Sequence, residues 1–228
     1  MRAPSGGAVA ACIPLAVYLG GGALLREALR PFFTDGLSLQ IWATLLAGVP
    51  ALLSIAYLER RAGRDGLATV GLRGPFAGPL LRGLALYAVA FPLLALASAL
   101  AARGPSSPGG EPLVLVPAFE AVGFRPVGLL ALLVGVPLLE EILFRGWLQG
   151  AAAARVGPWL AIPGVAAIWT LGHAPADRPA ILLLGLLLGF LYRRTGRLAA
   201  CVGVHVLHNS VVTFLRLPTP GWFEWTGA

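Results

Sequence analysis

Apolar residues run along this chain in long uncharged blocks, and short charged gaps separate the blocks. A helix needs about 20 consecutive apolar residues to cross a bilayer. Ala3–Leu25, Gly36–Leu58 and Gly83–Ala102 each meet that length without a single charge. The pattern predicts a fourth span over about residues 126–150, where Glu140-Glu141-Ile-Leu-Phe-Arg145 interrupts the apolar run. A fifth covers Gly157–Gly172 and ends near His173. A sixth, Pro179–Tyr192, has only 14 residues and is expected to be short, tilted or partly buried in protein. A seventh covers Leu198–Leu215. Pro105-Ser-Ser-Pro-Gly-Gly110 is a turn signal that closes the third span. The first run follows Arg2 much as a signal peptide would. No small-residue cleavage site leads into a polar mature chain, so a retained helix is expected.

The expected fold is therefore all-α: a polytopic transmembrane helical bundle of about seven spans, with six to eight compatible with the pattern. Residues 1–228 read as a single integral membrane domain without repeats. Its chemistry gathers in 126–215, and 1–125 contribute additional transmembrane helices.

Composition excludes a soluble domain. Hydrophobic residues make up 57% of the chain and charged residues 12%, against about 25% charged in soluble domains. Mean hydropathy is +0.81. The net charge of +7 comes from 17 basic residues, all arginine. They sit in the gaps between apolar runs and not on a basic face interleaved with stacking aromatics, so no nucleic-acid partner is expected. With the N-terminus inside, the inner gaps hold Arg2, Arg60, Arg61, Arg64, Arg73, Arg82, Arg155, Arg193, Arg194 and Arg197. The outer gaps hold Arg26, Arg30, Arg103, Arg125, Arg178 and Arg216. The larger inner set favours an N-inside orientation. The all-Arg, Ala/Gly/Leu-rich composition points to a bacterium of high genomic GC, hence to a bacterial inner membrane. Cys12 and Cys201 form no CxxC pattern and read as small buried residues.

The few ionisable groups at bilayer depth carry the chemistry. Charges there are expensive and mark functional sites by default. Glu140 and Glu141 are adjacent, about 100° apart on a helix, and cannot face one partner. Glu141 and Arg145 are four apart, with Glu first, the favourable order for a same-face pair. That pairing leaves Glu140 available as a general base toward water; the alternative is one structural network of all three charges. All three histidines, His173, His205 and His208, lie in the last three spans or at their ends. Trp169 and His173 share a helix face, and Pro175 and Pro179 are expected to end the helix just past the histidine. This reads as a catalytic His at a cavity or as an interfacial Trp–His pair. His205 and Asn209, also four apart, could donate to an oxyanion or serve as interhelical glue.

In order, Glu140-Glu141-x-x-x-Arg145, Trp169-x-x-x-His173 and His205-x-x-x-Asn209 resemble the three motifs of the CPBP family. These are the CAAX-protease and bacteriocin-processing intramembrane endopeptidases, also called the ABI family. Phe144-Arg145-Gly146 and Gly185-Leu-Leu-Leu-Gly189-Phe-Leu-Tyr-Arg-Arg-Thr-Gly196 are similar to that family too. The resemblance covers about residues 126–215. Trp169 stands where the second motif commonly has Phe, a difference expected to touch only local packing. The resemblance implies a metal-independent glutamic protease with no cofactor. Glu140 and His173 would activate water, His205 and Asn209 would stabilise the oxyanion, and Glu141 and Arg145 would support the site. His208 has no certain counterpart. The implied partner is a membrane-anchored or lipidated protein, cut near its C-terminus. Prenylated-protein processing, bacteriocin maturation and sorting-signal cleavage of the myxosortase kind all remain open.

Two other readings stand beside it. Glu140, His173, His205 and His208 could offer a His/carboxylate zinc site of a metal-dependent hydrolase, although no HExxH occurs. Buried Glu, His and Arg also occur in transporters and non-catalytic scaffolds, although no inverted repeat is visible.

Overall fold

The computed structural model describes residues 7–33, 36–63, 71–72, 74–101, 125–173, 175 and 177–216. The turn expected at Pro105–Gly110 lies outside these residues, as do Arg2, Arg64, Arg73 and Arg103. The described residues form helices and no strand. They comprise α1 (Gly7–Leu29, followed by a single 3-10 turn, Arg30–Phe32), α2 (Gly36–Arg61) and α3 (Ala77–Ala101). Next comes α4, continuous over residues 125–156, then α5 (Pro158–Leu171), α6 (Arg178–Thr195) and α7 (Leu198–Arg216). This matches the expected number of helices. Four of them, α1 to α4, are long and apolar enough to cross a membrane. α5 and α7 are shorter apolar helices. α6 has 18 residues where the sequence suggested 14, because Arg178 and the Arg193–Thr195 turn continue the helix past the apolar run.

α1 packs on α2, while α3 packs on α6 and α7. The helices α4 to α7 meet around a core in which Leu184, Leu188, Leu198, Cys201 and Val204 are fully buried. Outward apolar positions are left bare: Leu24 is 75% exposed, Val89 81% and Trp159 66%. In water such faces would be costly; against lipid tails they are solvated. Cys12 also lies on an exposed face, contrary to the expectation of burial, because only a small part of α1 is covered by protein.

Two glycines shape the corners. Gly157 at φ 77° breaks α4 and hands the chain to Pro158, whose fixed φ suits the first position of α5. Gly196 at φ 61° caps α6, its N–H donating to Tyr192 O at 2.8 Å. A row of small residues brings α6 close to α5: a Cβ on Gly185 would meet Ala166 Cβ at 3.0 Å and Trp169 Cε3 at 3.2 Å.

α4 is not a uniform α-helix. It widens to π geometry at Ala131–Gly135 and again at Glu141–Gln149, so the charged motif straddles an α-to-π transition. Such bulges recur at functional sites because they redirect side chains and free backbone groups.

Candidate active site

Glu140 and Glu141 leave α4 in different directions, as their spacing requires, and enter different environments. Glu141 is fully buried. Its Oε1 accepts from Arg145 Nη1 at 2.9 Å and from His205 Nδ1, also at 2.9 Å. Arg145 is 1% exposed and its Nη2 has no hydrogen-bond partner. Its guanidinium is instead stacked on the Trp169 ring, 4.2 Å from the centroid, a contact worth most when desolvated.

Glu140 is held from two other helices. Trp169 Nε1 on α5 donates to Oε2 at 3.0 Å, and the Tyr18 hydroxyl on α1 donates to Oε1 at 3.4 Å. Trp169 is therefore more than packing, contrary to the expectation that its difference from Phe touches only local packing: phenylalanine has no N–H to give. The indole also meets His173 edge-on (5.0 Å between centroids) and His205 (5.3 Å).

His173 lies just beyond α5, which ends at Leu171, two residues earlier than the prolines suggested. Arg178, at the start of α6, braces that end by donating to His173 O (3.1 Å) and Leu171 O (3.4 Å). His173 Nδ1 sits 3.1 Å from Trp169 O. A carbonyl only accepts, so Nδ1 carries the proton and Nε2 of the neutral ring is a bare acceptor.

On α7, Asn209 Nδ2 donates to Leu132 O at 3.2 Å, which fixes the orientation of its amide. His208 Nδ1 lies 3.1 Å from the Tyr87 hydroxyl of α3. Ser210, which follows Asn209, bonds back to Val206 O within its own helix.

One cavity of about 740 Å³ joins these groups. Glu140, His173, His205, His208 and Asn209 line it, with Tyr18 and Trp169; Glu141 and Arg145 stand behind its wall. Glu140 lies near the middle of α4 and His173 just past the end of α5. The cavity joins them by running from the middle of α4 to the end of α5. Sequence reasoning passed over Tyr18 and Tyr87. A lone tyrosine in an apolar helix carries no compositional signal, and only the packing of α1 and α3 brings them here.

Among the described residues no three His, Cys, Asp or Glu side chains come together in a group that could hold a metal ion. No curated protein and no solved structure matches the chain. A family model does: residues 113–211 match that of the type II CAAX prenyl endopeptidases, Rce1-like. The match begins somewhat before the motif region read from the sequence, and it includes every residue of the three motifs. Over these residues the chain is similar to the Rce1-like CAAX protease family, within a bundle whose helices α1 to α4 are long and apolar enough to cross a membrane.

Proposed function

We propose that the chain is an intramembrane endopeptidase that hydrolyses a peptide bond near the C-terminus of a membrane-associated or lipidated protein. The observation that carries this reading is the single cavity into which α4, α5 and α7 bring Glu140, His173, His205 and Asn209. Glu140 takes a proton from a water whose other hydrogen is accepted by His173 Nε2. The oxygen attacks the scissile carbonyl, and the carbonyl oxygen becomes an oxyanion. Asn209 uses one amide hydrogen on Leu132 O and offers the other to that oxyanion. His205 commits Nδ1–H to Glu141, so its Nε2 donates when the ring carries both protons, with Glu141 as counter-charge. The intermediate collapses as the C–N bond breaks, and Glu140 returns its proton to the leaving amine. Glu141 and Arg145 hold His205 and the Trp169 ring and do not touch the reactants. The arginine distribution supports an N-inside topology, and the all-Arg, Ala/Gly/Leu-rich composition supports a bacterial inner membrane.

The test uses protein reconstituted in liposomes with two quenched fluorogenic peptides, one S-farnesylated and one bearing an unmodified transmembrane anchor. Glu140→Ala is expected to lower cleavage by at least about 10²-fold, the usual worth of a general base, and a chelator is expected to leave wild-type cleavage intact. Cleavage by Glu140→Ala at the wild-type rate would refute the glutamate mechanism. Loss to chelator with rescue by zinc would move the site to metal chemistry. The ratio of the two peptides' rates reports whether lipidation is recognised.

A further inference from the structure

Trp169 touches more of the site than any residue given a role above. Its N–H reaches Glu140 Oε2 at 3.0 Å, it packs T-shaped against His173 and His205, and Arg145 lies over its ring. It is 2% exposed, and α6 passes so close that a Cβ on Gly185 would come within 3.2 Å of its Cε3. The indole is thus buried and held by several contacts, and three functional groups are referenced to it.

From these contacts we infer that Trp169 is a positioning residue that selects which carboxylate oxygen of Glu140 acts as the base. The inference rests on the reading of Glu140 as that base. Oε2 is occupied by a donor at an unstrained hydrogen-bond distance. Oε1 carries only the long 3.4 Å contact from the Tyr18 hydroxyl, and both residues line the cavity. Oε1 is the less committed of the two oxygens and so the one left to accept from water. The Trp169 hydrogen bond on Oε2 resists rotation of the carboxyl group about its last bond, and the same indole packs T-shaped against His173, so one ring references both groups. A phenyl ring at this position would pack against both histidines but would leave Oε2 without its donor and Glu140 free to turn.

Two variants separate the N–H from the shape. Trp169→Phe removes both. Replacing Trp169 with 3-benzothienylalanine by code expansion keeps the bicyclic outline and the face beneath Arg145, and it removes only the N–H. With the cleaved fluorogenic peptide as probe, both are expected to lower kcat by about 10- to 100-fold, the scale of a misaligned reacting group. KM is expected to stay within about threefold, because the substrate contacts are untouched. A second readout needs no turnover: the indole ¹H–¹⁵N resonance missing from Trp169→Phe is expected to shift in Glu140→Leu, which cannot accept its hydrogen bond. A benzothienyl variant with wild-type kcat overturns the inference, as does an indole resonance that ignores Glu140. Wild-type cleavage by Glu140→Ala would instead refute the base assignment beneath it, so the two failures are distinguishable.

Discussion

Asn209 on α7 donates its side-chain amide to the backbone carbonyl of Leu132 on α4, at 3.2 Å. The acceptor is open for a reason written in the sequence. In the first π stretch, Val136 N–H bonds back to Ala131 O, five residues earlier. The next donor in that register would belong to residue 137, which is proline and has none. Leu132 O is left without the partner that register would give it, half-buried at the cavity wall. Asn209 supplies the missing hydrogen and is oriented by doing so.

Pro137→Ala is therefore expected to raise thermal stability or leave it unchanged, since a proline within a helix ordinarily costs stability. It is also expected to lower kcat, because residue 137 can now serve Leu132 O and release Asn209. Asn209→Ala should lower kcat by about 10²–10³-fold, the scale of one lost oxyanion donor. Adding Pro137→Ala to Asn209→Ala should cost nothing further. A full second loss in the double variant would show that the proline acts through something other than Asn209.

The Glu141–Arg145 pair is buried on both sides, and removing one partner strands the other. Arg145→Ala is expected to destabilise by about 3–5 kcal/mol, mostly the penalty of an uncompensated buried carboxylate. Replacing both, Glu141→Leu with Arg145→Met, should recover much of that stability, because paired desolvation is removed together. Activity should not return, since His205 would have lost the carboxylate that holds its Nδ1. Thermal unfolding and cleavage measured on the same preparations check both halves. Recovery of activity in the double variant would reduce Glu141 to a purely structural role.

The helices were legible because uncharged blocks of helical length can do little else. Glu140, Glu141, Arg145 and the histidines were legible because a charge at bilayer depth is conspicuous. The two faces of the Glu140–Glu141 pair followed from helical geometry alone. The π register of α4 was not legible, since it depends on which carbonyl each N–H chooses. Tyr18 was missed because its importance lies in the docking of α1 onto α4, a contact across more than a hundred residues. Trp169 was seen but undervalued: motif matching treats aromatics as interchangeable, whereas the N–H of one of them binds the central carboxylate.

The close approach of α6 to α5 can be tested by adding volume. At Gly185 even a methyl would crowd Ala166 and the Trp169 ring, whereas Gly164 faces open space. Gly185→Val is expected to destabilise by about 1–3 kcal/mol, as overpacking does, and to lower kcat by pushing the indole off Glu140. Gly164→Val should change neither beyond the cost of a β-branched residue for a glycine in a helix, which is small or favourable. Equal behaviour of the two variants in unfolding and cleavage assays would contradict the packing described.

Tyr18 and Trp169 both donate to Glu140, and their distances rank them. The indole N–H at 3.0 Å lies at the mode for N–H···O bonds, whereas the hydroxyl at 3.4 Å is beyond the usual 2.5–3.0 Å for O–H···O. The Tyr18 ring keeps its edge-on contact with Phe144 without the hydroxyl, so Tyr18→Phe should fold normally. Its kcat is expected to fall only about two- to fivefold, since a hydrogen bond to a carboxylate nets about 1.5–3 kcal/mol at ordinary geometry and one stretched to 3.4 Å far less. The loss should be well below that of Trp169→Phe. A loss in Tyr18→Phe as large as in Trp169→Phe would mean that the tyrosine closes onto Oε1 during turnover and belongs to the reacting groups, which steady-state kinetics on both variants would reveal.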